Sequence, residues 1–276
     1  MEAEVEDNRQ PFLEHLRELR IRLRNAVIAL IIACAVCFTW AEALFGLLVQ
    51  PLMNAWALAK LGPMNLAFGS LTEPFWVYFE ISMYAGVFIA SPFIFHQLWK
   101  FIAPGLYQRE RRIAVPFALF SGVFFIGGGL FCYFFVLPAM FKFLLSYSQA
   151  NLGHIRDTFG LVDIKLSEQA IPITPTLFMQ NYLDLATRML LAFGLVFEMP
   201  LLIFFLSYAG VVTPGQLWRF NKYWVVISVV VGGILTPGPD VVSQMMMAAP
   251  LVVLYNLSIL VSFLVQRSKA TDEAAV

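Results

Sequence analysis

Residues 114 to 137 read Ala-Val-Pro-Phe-Ala-Leu-Phe-Ser-Gly-Val-Phe-Phe-Ile-Gly-Gly-Gly-Leu-Phe-Cys-Tyr-Phe-Phe-Val-Leu, with no Asp, Glu, Lys, Arg or His. As a helix this run is about 36 Å long at 1.5 Å per residue, enough to cross a hydrocarbon layer of about 30 Å with some tilt. Similar apolar runs occur at roughly 25 to 45, 75 to 99, 184 to 206, 223 to 236 and 245 to 265, and no water-soluble core could hide them all. The expected fold is therefore all-α: a polytopic membrane protein of six transmembrane helices. The fifth run is the shortest. Val225 to Leu235 gives only about 16 Å of helix, so that side of the bundle either thins the bilayer or leans on its neighbours.

Composition agrees. Of 276 residues, 60% are hydrophobic and 13% charged, and the mean hydropathy is +0.76; a soluble domain is about half apolar and a quarter charged. Lys+Arg and Asp+Glu are both 18, so net charge points to no nucleic-acid partner, and the placement of charge is what informs. Arg9, Arg17, Arg20, Arg22, Arg24, Lys100, Arg109, Arg111, Arg112, Arg219, Lys222, Arg267 and Lys269 fall on one side of the runs. Lys60, Lys142, Arg156 and Lys165 fall on the other, with Arg188 inside the fourth run. The positive-inside rule then puts both termini in the cytoplasm. Cys34, Cys37 and Cys132 all lie in apolar runs, which excludes a secreted disulfide framework; Cys34-x-x-Cys37 lacks a second pair at zinc spacing and reads as helix packing. The first run is too long for a signal-peptide core and is kept as a mature anchor.

The chain reads as one membrane domain over residues 1–276: an amphipathic cytoplasmic helix at 1–24, an extracytoplasmic cap at about 138–183 and a cytoplasmic tail at 266–276. Pro51, Pro92, Pro116, Pro138, Pro200 and Pro250 sit within or at the ends of spans, which implies kinked helices and a concave bundle. No internal repeat or low-complexity tract is evident.

Two polar constellations stand out. Pro11-Phe-Leu-Glu-His-Leu-Arg-Glu-Leu-Arg-Ile-Arg-Leu-Arg24 is an amphipathic helix with Asp7 or Asn8 as candidate cap and Phe12, Leu16, Leu19 and Leu23 on one stripe. By itself it reads as an interfacial anchor, with arginines toward anionic lipid and Glu18 paired to Arg22. The second is Phe101-Ile-Ala-Pro-Gly-Leu-Tyr-Gln-Arg-Glu-Arg-Arg112, a short loop whose basic end is a positive-inside anchor. Glu110 is the odd member there, an acid held among cations and suited to accept an incoming guanidinium.

Together these segments resemble the TatC family. His15-Leu-Arg-Glu-Leu-Arg-Ile-Arg-Leu23 is similar to its amino-terminal motif, and Phe101-Ile-x-Pro104 with Leu106-Tyr107 and Glu110-x-Arg112 to its first cytoplasmic loop. Ser70-Leu-Thr-Glu-Pro-Phe75, Ala192-Phe-Gly-Leu-Val-Phe-Glu-Met-Pro200 and Leu235-Thr-Pro-Gly-Pro-Asp-Val-Val-Ser-Gln244 follow in the family's order, so the resemblance covers residues 12 to about 265. It implies a receptor in the bacterial cytoplasmic (inner) membrane. Such a receptor binds twin-arginine signal peptides of folded proteins, gathers TatA- and TatB-type single-span subunits and further copies of itself, and uses the proton-motive force without a cofactor. Two adjacent arginines are best read by separate carboxylates, each taking a bidentate pair of charge-assisted hydrogen bonds. The resemblance assigns that role to Glu18 and Glu110, with His15, Arg20, Arg22, Phe101, Pro104, Tyr107, Arg111 and Arg112 around them.

Glu198 lies about fourteen residues into the fourth run, near mid-membrane, where a carboxyl group must face the bundle interior or a wet groove. It is either a structural hydrogen-bonding group or, by the resemblance, a polar contact for signal peptide or TatA. Thr236, Asp240 and Gln244 flank the last turn, where the family binds partner helices; Asp240 equally serves as the cap of the final helix. Glu80 and Arg188 lie at similar depth in the second and fourth runs and are expected to pair, although Glu80 departs from the family's usual Lys. A secondary transporter or channel for a small solute is the competing class, since these intramembrane charges could mark a substrate path. It would show inverted repeats, which are not evident. His-Glu-x-x-His, Gly-x-Ser-x-Gly and paired intramembrane aspartates are absent, so no enzyme is expected.

Overall fold

The structure, a computed structural model, describes residues 12–102, 114–146, 175–236 and 241–274. In chain order these form α1 (Phe12–Phe38), α2 (Ala41–Ala59), β1 (Leu66–Ala67), α3 (Glu73–Ile102), α4 (Ala114–Phe131), a π-helical turn (Cys132–Val136), α5 (Leu137–Ser146), β2 (Leu177–Phe178), α6 (Met179–Phe197), α7 (Met199–Tyr208), α8 (Pro214–Leu235) and α9 (Val241–Ala274).

Helices α1 and α3 run antiparallel along their whole length. His15 meets Phe101 at one end and Phe38 meets Phe75 at the other. Between them, a Cβ placed on Gly86 would collide with Cys34, so the absence of a side chain lets the two backbones touch, as small residues do between membrane helices. Cys34 is thus a packing residue. α4 crosses α3 in the same way, with Gly122 against Pro92, and α6 meets α4 at Gly128.

Among the described residues, six helical stretches are long and apolar enough to cross a membrane: Glu14–Phe38, Ala41–Ala59, Glu73–Phe101, Phe117–Ser146, Met179–Tyr208 and Val241–Arg267. The number matches the expectation, but the membership differs at two places. Ala41–Ala59 was not read as a helix, and the expected span at 223–236 is absent from the set. The geometry accounts for both. α2 starts beside the Phe38–Phe75 contact, and the strand that follows it pairs in parallel with Leu177–Phe178 at the entrance to α6. Seven residues from Ala59 to Leu66 reach at most about 24 Å, less than the roughly 28 Å length of α2. α2 therefore starts and finishes at one end of the bundle and caps it. The fifth expected span lies in α8, which is 22 residues long. It begins eleven residues before Val225 with a Thr213–Gln216 capping box and Pro214 in its first turn. The first half of α8 is polar, and its helical length of about 33 Å corrects the expectation of a stub.

Three further expectations are corrected. The amphipathic N-terminal stretch is no separate surface helix but the first turns of α1, which ends at Phe38 rather than near 45. The third span runs on through α5 to Ser146, so the cap segment is shorter at that side than 138–183. Pro51 lies inside α2, the stretch Ala41–Ala59, and not at the end of the first expected run.

The prolines show how a kinked chain keeps its backbone satisfied. Proline lacks an N–H and frees the carbonyl four residues earlier. Pro51 frees Leu47, whose oxygen accepts the Tyr133 hydroxyl at 2.7 Å, and the next carbonyl, Leu48, accepts the Tyr182 hydroxyl at 2.6 Å. Ahead of Pro138 the helix widens into the π turn, in which the Leu137 N–H reaches back five residues to Cys132. Pro200 opens α7 after a break at Glu198, where the Glu198 N–H takes up the carbonyls of Leu195 and Val196. Around these kinks the main core gathers Leu52 and Trp56 of α2, Leu137 and Met140 of α5, and Leu183, Met189 and Phe193 of α6.

Candidate functional site

The first four turns of α1 face the bundle with their polar side. His15, Glu18 and Arg22 are half-buried, while Leu16, Leu19 and Leu23 are exposed. A helix in water would turn the leucine stripe inward; here the surroundings are lipid or interface, so the apolar stripe points out and the polar stripe points toward α3. That stripe holds the predicted residues in register. Glu18 Oε1 accepts both Arg22 Nε at 3.0 Å and Arg22 Nη2 at 2.5 Å, the i, i+4 pair expected from sequence, and Oε2 has no hydrogen bond from a described residue. The His15 ring stacks on Phe101, with centroids 4.3 Å apart. Arg20 is exposed on the outer side of the helix.

Phe101 sits in the last turn of α3, directly before the loop. Residues Pro104, Tyr107, Glu110, Arg111 and Arg112 lie outside the described residues. Both ends of that loop are nevertheless fixed. Trp99 of α3 and Phe117 of α4 are in ring contact at 5.3 Å, and each packs on Phe205 of α7. The Trp99 indole N–H donates to the Ser121 hydroxyl at 2.9 Å. This aromatic cluster joins α3, α4 and α7.

The same Ser121 hydroxyl faces the carboxyl group of Glu198. Glu198 stands at the α6–α7 break, and its Oε1 is a buried oxygen without a hydrogen-bond partner, so the sequence reading of an inward-facing carboxyl group matches its position. Thr236 and Gln244 lie elsewhere, at the tip of the α8–α9 hairpin. Thr236 is buried and its N–H donates to the Gly232 carbonyl at 3.0 Å. Gln244 Nε2 donates to the Val229 carbonyl at 2.8 Å, and Gly232 and Gly233 leave room for the residue. Asp240 lies outside the described residues.

The expected Glu80–Arg188 pair does not form. Glu80 Oε2 accepts Gln180 Nε2 at 2.8 Å and Oε1 accepts the Tyr84 hydroxyl at 3.4 Å, whereas Arg188 pairs with Asp184 at 3.5 Å and its side chain is 67% exposed. Arg188 is two turns further along α6 than Gln180, and its own i−4 neighbour is within reach before any group on α3. Sequence reasoning also missed Glu73, which ties three segments together: Oε2 accepts the Gly69 N–H at 2.5 Å and Oε1 the Gln180 N–H at 3.1 Å. Its place in the Ser70-Leu-Thr-Glu-Pro-Phe75 motif, ahead of a proline at a helix start, was the available signal.

Comparison with known proteins identifies the family and the fold. The family model "Sec-independent protein translocase protein (TatC)" matches residues 14–250. A Sec-independent protein translocase protein TatC of Koribacter versatilis (strain Ellin345) is 38% identical over 254 residues, covering 92% of this chain and 85% of that protein. The TatC protein of Aquifex aeolicus (strain VF5) is 38% identical over 265 residues, covering 96% of this chain and 100% of that protein. A crystal structure of a twin arginine translocase receptor, TatC, superposes with a TM-score of 0.73 at 38% identity over 91% of this chain and 99% of that one. With six membrane-length helices, a polar α1 face set against the end of α3 and the family's motifs in order, this chain is a multi-pass membrane protein that belongs to the TatC family of Sec-independent protein translocase proteins.

Proposed function

We propose that this chain is the receptor core of a twin-arginine translocase, in which Glu18 and Glu110 each take one guanidinium of the signal peptide's arginine pair. The observation that carries this reading is the His15–Phe101 stack. It sets the polar face of α1 at the mouth of the loop that contains Glu110, and Glu110 is four residues from Ala114, a tether of at most about 14 Å. Glu18 is half-buried and held by Arg22, with one oxygen unoccupied by described residues. A carboxyl group held in this way is oriented and still able to accept a second guanidinium.

In this reading the loop end of the bundle faces the cytoplasm of a bacterium, in accord with the Lys and Arg distribution, and both termini lie there. Arg20, Arg22, Arg111 and Arg112 surround the two acids, while His15, Phe101, Pro104 and Tyr107 shape the surface for a short extended peptide. The signal's apolar part then lies along the concave side of the bundle, past Glu198. Thr236, Asp240 and Gln244 at the hairpin tip meet TatA- and TatB-type helices, and further copies of the chain join the complex. Transport draws on the proton-motive force, with no cofactor. The test is export of a folded reporter carrying a twin-arginine signal in cells with Glu18→Ala, Glu110→Ala or both. Loss of export in the double variant, at normal membrane levels of the protein, supports the assignment; unimpaired export rejects it.

A further inference from the structure

Between α3 and α6 the bundle carries a groove of about 690 Å³. Glu73, Glu80 and Gln180 line its polar part, and Trp76, Met83 and Leu191 are among its apolar walls. Nothing in the signal-recognition reading uses it, because it lies toward the cap end of α3, away from Phe101.

Among the described residues, only neutral donors meet the two carboxyl groups of this groove. Glu73 uses its two oxygens on the Gly69 and Gln180 backbone N–H groups. Glu80 receives one good hydrogen bond, from Gln180 Nε2, and one long one from Tyr84. Both donors are neutral, and a carboxylate offers about four acceptor sites, so about two remain open. Among the described residues no Lys, Arg or His makes an ion pair with either acid. Arg188, the cation of α6, is held by Asp184, which also accepts Gln180 Nε2 at 3.1 Å; the His96 and Lys100 of α3 lie near its other end. Glu80 is seven residues into α3, about 10 Å of helix. Its contact with Gln180, the second residue of α6, shows the carboxyl group turned back toward the cap-end interface. A carboxyl group at that level of a membrane, with acceptor sites still open, calls for a further donor.

We propose that the groove holds a phospholipid with a primary-amine headgroup, chemically a phosphatidylethanolamine, with its ammonium on Glu80 and one acyl chain along Met83, Val87 and Leu191. Three features favour this occupant. The groove lies among membrane helices, so lipid reaches it directly. A primary ammonium carries N–H donors for the open acceptor sites of Glu80, which a quaternary ammonium lacks. Met83 and Val87 follow Glu80 about one and two turns further along α3, away from the cap end, and Leu191 of α6 also lines the groove, which is the order in which headgroup and chain follow one another in a lipid.

The experiment places the full chain in nanodiscs of phosphatidylglycerol mixed equally with phosphatidylethanolamine or phosphatidylcholine, and counts retained lipids by native mass spectrometry on release. The expected result is retention of phosphatidylethanolamine about tenfold over the other two, as one charge-assisted hydrogen-bonded contact gives. Glu80→Gln should bring that ratio close to one without changing the melting temperature in pure phosphatidylglycerol discs. Leu191→Trp, which fills the apolar wall but leaves Glu80, should lower retention as well. Equal retention of the three lipids by the unmodified chain overturns the proposal. So does a preference that survives Glu80→Gln, retention unaffected by Leu191→Trp, or a photo-crosslinker at Met83 that captures a protein helix in place of lipid. None of these readouts depends on signal-peptide binding.

Discussion

The imidazole of His15 stacks on the ring of Phe101, with centroids 4.3 Å apart and planes 18° from parallel. This pair fastens the first turns of α1 to the last turn of α3, 86 positions apart in sequence, and so sets Glu18 near the Phe101 end of α3. Ring pairs of this kind contribute about 0.5–1.5 kcal/mol beyond the area they bury. His15→Ala or Phe101→Ala should therefore weaken binding of a twin-arginine peptide by about three- to tenfold, and His15→Phe should restore most of it. Binding to the purified receptor by fluorescence anisotropy measures this directly. If His15→Phe is as weak as His15→Ala, the imidazole acts through a hydrogen bond and not through the stack.

Arg22 competes with the incoming arginine for Glu18. Half-exposed i, i+4 pairs are worth only about 0.3–0.5 kcal/mol, so the competition is mild. Arg22→Gln should change peptide affinity by less than about threefold, whereas Glu18→Gln, which removes the charged acceptor, should cost tenfold or more. The same anisotropy titration separates the two. Comparable losses in both variants would mean that Arg22 itself contacts the peptide.

The cap helix α2 is attached through a proline-freed carbonyl. Tyr133→Phe leaves the Leu47 oxygen unpaired and should destabilise the protein by about 0.5–1.5 kcal/mol. Tyr182→Phe should cost about 1–3 kcal/mol, because the bond to Leu48 is buried. Pro51→Ala returns a backbone N–H to Leu47 and should cancel most of the Tyr133→Phe loss while leaving the Tyr182→Phe loss in place. Thermal unfolding of the three single and two double variants in detergent tests this; additive effects of Pro51→Ala and Tyr133→Phe would contradict the shared-carbonyl arrangement.

Two adjacent glycines in α4 should behave oppositely. A Cβ on Gly128 would stand 2.5 Å from the Phe193 carbonyl oxygen, a backbone atom that cannot swing aside, whereas a Cβ on Gly127 meets nothing within 4 Å. Gly128→Ala is expected to push α4 from α6 at a cost of about 1–3 kcal/mol. Gly127→Ala should be neutral or stabilising by up to about 1 kcal/mol through helix propensity. Melting temperatures of the two variants decide it.

Much of this architecture was legible because lipid imposes simple rules. Runs without charge had to be helices of membrane length, and five of the six expected runs coincide with membrane-length helices. The exceptions have physical causes. α2 was overlooked because Glu42, Gln50, Pro51 and Asn54 interrupt its apolar character, and its burial depends on α5 and α6, which are distant in sequence. α8 was cut short because apolar runs register hydrocarbon contact and not helix length, and its first half is polar. At the candidate site, the Glu18–Arg22 pair followed from i, i+4 spacing on one helix. The Glu80–Arg188 pair failed because equal depth on two helices does not fix which faces meet, and Gln180, a neutral residue, took the place of the cation. The His15–Phe101 contact had no local signal; both residues belonged to quoted motifs, but only the antiparallel packing of α1 on α3 brings them together.

The most direct measurement of the central claim is binding of a twin-arginine signal peptide, compared with its twin-lysine counterpart, to the purified full chain and to Glu18→Gln, Glu110→Gln and the double variant. The unmodified chain should prefer the arginine pair by tenfold or more, since Lys cannot make the bidentate contacts. Each single variant should lose most of that preference, and the double variant should bind both peptides equally. A double variant that still prefers arginine over lysine as strongly as the unmodified chain would contradict the assignment of the two carboxylates as the arginine-reading groups.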